Sequence, residues 1–129
     1  MSYNIVARKK EGYLHLDITG INSAENVHAY LLDVRTLCEE HKCSRVLIEE
    51  HLSGPGLPIM KIFEIVAGAS GVILPVVQDI AYVDTNSEHE RSRMQFAEDV
   101  AINRGINIKI CSTVSEAEHF LHSLTLMKK

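Results

Sequence analysis

Four short clusters hold the side chains best suited to chemistry. Glu49-Glu50-His51 closes one apolar run. Asp84-Thr85-Asn86-Ser87, with His89 just beyond, closes a second, and Cys111-Ser112-Thr113 a third. Cys38, His41 and Cys43 make the fourth. Carboxylate and imidazole groups suit zinc or a related divalent ion, so Glu50, His51, Asp84 and His89 are the metal candidates. No H-E-x-x-H, H-x-x-x-H or C-x-x-C spacing fixes ligand geometry, and polar residues belong at solvated strand ends, so no metal or other cofactor is assigned. Cys111 beside His51 or His89 would be a hydrolase thiol, which needs a base and an orienting group in contact. The spacing of Cys38, His41 and Cys43 matches no common zinc knuckle.

Ser87 and Thr113 stand where helices begin. A hydroxyl beside free amides binds anions, although ordinary N-capping accounts for both residues. Gly54-Pro55-Gly56 lacks the lysine and spacing of a phosphate-binding loop. His15, His28, His119 and His122 fall on separate surfaces and are read as solvated. His15 and Asp17 fit the polar outer face of an edge strand.

The elements that must position these residues alternate along the chain. Tyr3 to Lys9 and Tyr13 to Thr19 read as a hairpin turning at Gly12. In the second strand Leu14, Leu16 and Ile18 point to the core, and Gly20 breaks it. Ser23 caps a first helix whose stripe is Ala24, Val27, Leu31, Val34, Leu37 and Cys38. Arg45 to Glu50 is a third strand with a doubly covered apolar run. Pro58 opens a second helix that runs to about Ser70, with Gly71 at its C′ position. Val76 to Asp84 is a fourth strand. Asn86 or Ser87 caps a third helix, with Ser87 and Glu90 as a capping box. Ile106 to Cys111 is the last strand, and Thr113 with Glu116 opens the last helix.

The result is α/β: an N-terminal hairpin, then strand–helix repeats, giving a five-stranded mixed sheet with four helices. Sites on such sheets gather beyond the carboxyl ends of the parallel strands. The 129 residues suit one domain, and a net charge of −4 with one short basic run, Arg8-Lys9-Lys10, gives no nucleic-acid-binding face. Three cysteines and no secretory leader point to reduced thiols in a cytoplasm. The most apolar run, Ile65 to Val77, is interrupted by Gly68, Gly71 and Pro75 and is too short to span a bilayer.

The second helix is apolar almost all round, with only Lys61 and Glu64 charged. A domain this small has difficulty hiding every side of such a helix. Ser53, Leu57, Pro58, Met60, Phe63 and Ala67 are therefore expected to form a surface for a protein partner or a second copy of the chain. The first function expected is a non-enzymatic regulatory or adaptor domain. The alternative is a carrier of a small apolar ligand or lipid, which needs a cavity between the second and third helices and the sheet. A metal- or thiol-dependent hydrolase is the weaker third.

The order of elements, the Pro/Gly loop after the third strand and the capped third helix resemble the anti-sigma factor antagonist (STAS) fold. They are closer still to the SpoIIAA-like proteins, similar in topology to the CRAL-TRIO lipid-binding domains. The resemblance covers nearly the whole chain and implies one SpoIIAA-like domain over residues 1–129, a binding module without chemistry of its own. Sporulation-type members carry an Asp-Ser-Ser-Gly-like motif at the start of the second helix, where a partner kinase phosphorylates a serine. Here that stretch reads Leu57-Pro58-Ile59-Met60-Lys61-Ile62, and Ser53 lies several residues earlier. The phosphoswitch is not carried over.

Overall fold

The computed structural model describes the backbone of residues 3–127 and the side chains of residues 3–124. Its elements are β1 (Tyr3–Lys10), β2 (Tyr13–Ile21), α1 (Ala24–Glu40), β3 (Arg45–Ser53), α2 (Ile59–Ile73), β4 (Asp79–Asp84), α3 (Arg91–Asn103), β5 (Asn107–Cys111) and α4 (Val114–Met127). The five strands lie in sequential order, with β1 antiparallel to β2 and the other pairs parallel. The expected α/β architecture of five mixed strands and four helices is present.

Sequential order decides where the helices go. Right-handed crossovers that always step the same way deposit every connecting helix on one face. Side chains from α1, α2 and α3 accordingly share one core with Leu14, Leu16, Ile18, Val46, Ile48 and Ile80 of the sheet. α4 follows the last strand, makes no crossover, and packs on the opposite face through Ala117 and Leu121, against Tyr13, Leu47, Ala81, Val83 and Cys111. β3 and β4 are covered on both faces, as the apolar run Val46-Leu47-Ile48 anticipates. No described helix is long and apolar enough to cross a membrane.

Several boundaries differ from the sequence reading. β2 is an interior strand, not an edge, and continues through Gly20 to Ile21. Its outward face is not solvated: Tyr13 and His15 are each 4% exposed, and Tyr13 Oη donates to Glu118 of α4 at 2.9 Å. β3 runs on past Glu50 to Ser53. β4 begins at Asp79 rather than Val76, because the amides of Gln78 and Asp79 are taken by the Ser44 carbonyl before the ladder starts. α2 begins at Ile59 with Pro58 at the N-cap, and continues through Gly71 to Ile73. Gly68 and Gly71 therefore lie inside a helix, on a side where an added Cβ would meet nothing within 4 Å.

Ser87 does not cap α3, which starts at Arg91 behind Glu90. Asn86 is the reason. Its amide nitrogen donates to the carbonyls of Leu52 (2.9 Å) and Gly54 (3.0 Å), and its oxygen accepts from the Glu88 amide (2.9 Å). This ties residues after β4 to the end of β3 and holds them in a turn. The other two caps are as expected: the Asn26 amide donates to Ser23 Oγ, and the Glu116 amide to Thr113 Oγ1, both at 3.1 Å.

Candidate ligand-binding cavity

Side chains of a strand alternate between faces. In β3 this sends Val46, Ile48 and Glu50 toward α1–α3, and Leu47, Glu49 and His51 the other way. The expected foursome of Glu50, His51, Asp84 and His89 is therefore not assembled. Glu50, Asp84 and His89 converge on the helical face, each offering a ligand atom within 4.8 Å of the others. His51 stands across the sheet.

On the helical face a cavity of about 120 Å³ separates the sheet from the helices. Its walls are nearly all hydrocarbon: Ile48, Ile80 and Ile108 from the sheet, Ile65 and Ala69 from α2, Ala97 from α3. The more exposed lining residues, among them Asn22, Gly56, Leu57 and Glu90, place its mouth at the carboxyl ends of the parallel strands. Arg93 crosses this rim, donating from Nη1 to the Leu57 carbonyl at 2.8 Å and pairing with Glu90 at 3.6 Å.

One end of the cavity is polar. The register sets Glu50 beside Asp84 on adjacent strands, and Glu50 is only 2% exposed. Tyr30 of α1 donates a short hydrogen bond to Glu50 Oε2, and its oxygen lies 3.4 Å from Tyr82 Oη. His89 Nδ1 faces Asp84 Oδ2 at 2.5 Å. Its Nε2 has the Gly54 carbonyl as nearest neighbour at 3.0 Å, with Asn22 Nδ2 at 3.2 Å. Both ring nitrogens thus have polar protein neighbours within hydrogen-bonding distance. Burial pushes the Glu50 carboxyl up to about 7 and the neighbouring Asp84 charge adds to that, against the hydrogen bonds from Tyr30 and Tyr82 and the charge of His89. Burial and the Glu50 charge drive both tyrosines well above their ordinary range. Both His89 nitrogens already face protein partners, and the cluster is read as a hydrogen-bonding pocket.

The opposite face carries a separate polar network on β2 and β3. Glu49 bridges two histidines, with Oε1 2.9 Å from His15 Nε2 and Oε2 2.9 Å from His51 Nε2. Asp17 lies 3.5 Å from His51 Nε2 and pairs closely with Arg8. Burial acts to raise the Glu49 carboxyl, but hydrogen bonds to His15 and Asp17 and the charges of both histidines outweigh it and hold Glu49 below its ordinary range. His15, read as solvated, is in fact a buried member of this network.

Of the residues expected to form a contact surface on α2, Met60 is 64% and Phe63 37% exposed and Ala67 is half-buried; Ile59 and Val72 are also exposed. The Arg104 guanidinium lies 5.7 Å from the centre of the Phe63 ring. Pro58 is exposed, and Leu57 is half-buried at the cavity mouth. Ser53 is exposed, its hydroxyl donating to the Gly20 carbonyl at 3.2 Å. Ser87 and Thr113 are exposed. Cys38 is core, and Cys111 is buried under α4 with its thiol pushed up to about 11, chiefly by burial. That is the opposite of an activated nucleophile.

Sequence reasoning missed Tyr30 and Tyr82. The available signal was a phenol on each of two core-facing patterns, the stripe of α1 and the run Ile80-Ala81-Tyr82-Val83, since a buried hydroxyl needs a partner. No protein-family model and no curated protein sequence matches this chain.

Proposed function

We propose that this chain is a cytoplasmic, non-enzymatic binding domain for a small, largely apolar molecule. The carrying observation is the largely hydrocarbon-lined cavity with Tyr30, Glu50, Tyr82, Asp84 and His89 as its polar part. Well-packed interiors leave few voids larger than a water molecule. An apolar cavity of ~150 Å³ accepts benzene, so about 120 Å³ suits a ring or a short branched chain and not a whole lipid. The SpoIIAA-like resemblance supports the same reading, because it implies binding without chemistry.

α2 joins this reading to a second one. Its inner side, Ile65 and Ala69, walls the cavity, while Ile59, Met60 and Phe63 stand bare on its outer side. The outer ridge favours a regulatory role in which a second copy of the chain docks on α2, with the occupied cavity setting how α2 is held.

The test is a titration of the purified domain with benzyl alcohol, followed by methyl NMR. Shifts confined to Ile48, Ile65, Ala69 and Ala97, together with native mass spectrometry of the same sample, report occupancy. Saturable shifts at these methyls support the reading. Undisturbed spectra at millimolar probe overturn it.

A further inference from the structure

Building on the cavity reading, we infer that the bound molecule carries a positively charged amine on its apolar body, and that Glu50 receives it. The argument is one of charge balance in a water-poor site. Two carboxylates, Glu50 and Asp84, lie side by side at the polar end. The ring of His89 is spent on Asp84 and on the Gly54 carbonyl. Glu50, 2% exposed, has phenolic hydroxyls as its hydrogen-bond partners, and the nearest basic side chain, His89, makes its short contact with Asp84 instead. A buried carboxylate without a counter-charge is strongly disfavoured. The empty pocket meets that penalty by keeping a proton on Glu50 up to about pH 7. An ammonium group meets it better, since it supplies both charge and N–H donors.

The other polar side chains of the lining are distributed over the elements around it. α1 contributes Tyr30; β4 contributes Tyr82 and Asp84; the segment after β2 contributes Asn22; the turn before α3 contributes His89; and α2 contributes Ser70, whose hydroxyl donates to the Val66 carbonyl. Arg93, the one guanidinium in the lining, lies at the rim and is held by Leu57 and Glu90. No cation in the lining is free to receive an anionic head group. An apolar acid would place a third carboxylate beside two others, and a neutral alcohol would bring no counter-charge to Glu50.

Three probes of one shape decide the matter: benzylamine, benzyl alcohol and benzoate, each titrated calorimetrically into the whole domain. The expected order is benzylamine tightest, by about tenfold or more over the alcohol, with benzoate weakest. Glu50→Gln should erase the preference for the amine, so that amine and alcohol bind the variant within about twofold of each other. A wild-type measurement guards against a variant that fails to fold. At about pH 6 the amine should displace the Glu50 proton, so its binding heat should depend on the buffer's ionisation enthalpy, and that of the alcohol should not. If the alcohol binds as well as the amine, or benzoate binds best, the amine is wrong and the cavity reading stands. If none of the three binds, both fall together.

Discussion

Glu50 and His51 are consecutive residues on opposite faces of one sheet. Glu50 hydrogen-bonds Tyr30 beneath the helices, and His51 bonds Glu49 and the Thr85 hydroxyl on the other side. Their separation divides Glu49, Glu50 and His51 of β3 between two networks on opposite faces of the sheet.

Substitutions in the two networks should therefore have separable effects. Glu49→Gln removes the acceptor that bridges His15 and His51, and should destabilise the fold by about 1–3 kcal/mol with benzyl alcohol affinity unchanged. Chemical denaturation and calorimetry on the same variant check both halves. A loss of probe binding in Glu49→Gln would show the faces to be coupled.

The titration of Glu50 sets a pH dependence of definite sign. Its carboxyl has an ordinary value of 4.5 and is pushed up to about 7 in the fold. Below pH 4.5 the group is protonated whether the chain is folded or not, and it imposes no penalty. As pH rises from 4.5 to about 7 the unfolded chain releases this proton and the folded chain retains it. Folding loses stability across that window, by about 3 kcal/mol in total. Glu50→Gln abolishes the loss, so the variant should gain on the wild type from pH 4.5 to 7 and hold a constant advantage above. Urea midpoints measured across this range test it, and parallel curves would refute it.

Filling the cavity should block it without unfolding the domain. Ala69, 2% exposed on the inner side of α2, is the place to add carbon. Ala69→Leu is expected to abolish benzyl alcohol binding while keeping thermal stability at or above that of the wild type, as cavity-filling changes do. Retained binding in a folded Ala69→Leu protein would put the probe elsewhere.

The outer ridge of α2 predicts an association that charge disrupts. Met60→Glu with Phe63→Glu should convert a concentration-dependent dimer into a monomer in sedimentation velocity, leaving cavity binding intact. A wild-type chain that remains monomeric at high concentration removes the docking reading.

Much of the fold was legible because it rests on local rules. Strand–helix alternation dictates a parallel sheet, Gly12 turns the hairpin, and Ser23 and Thr113 announce their helices with a hydroxyl three residues before a free amide. What escaped was non-local. Ser87 and Glu90 have capping-box spacing, yet Asn86 reaches back to Leu52 and Gly54 and defers the helix to Arg91. His15 looks outward on an alternating strand, and becomes buried only because β1 and β3 flank it and Glu49 meets it. Strand-end polarity singled out Glu50, Asp84 and His89, which the fold brings together. It grouped them with His51 because a list of residues near strand ends does not record facing. The cavity itself is a shortfall of packing among three helices, and no single stretch of sequence carries that shortfall.

Gly68 and Gly71 give α2 one more property. Each weakens a helix by roughly 0.5–1 kcal/mol relative to alanine, and neither is required by a neighbour that a methyl would touch. The weakening falls beside Ala69 and Ile73, which wall the void. Were that half of the helix to loosen, the chamber would open from the side, and the escape of a bound probe and the solvent exchange of local amides would then report one motion.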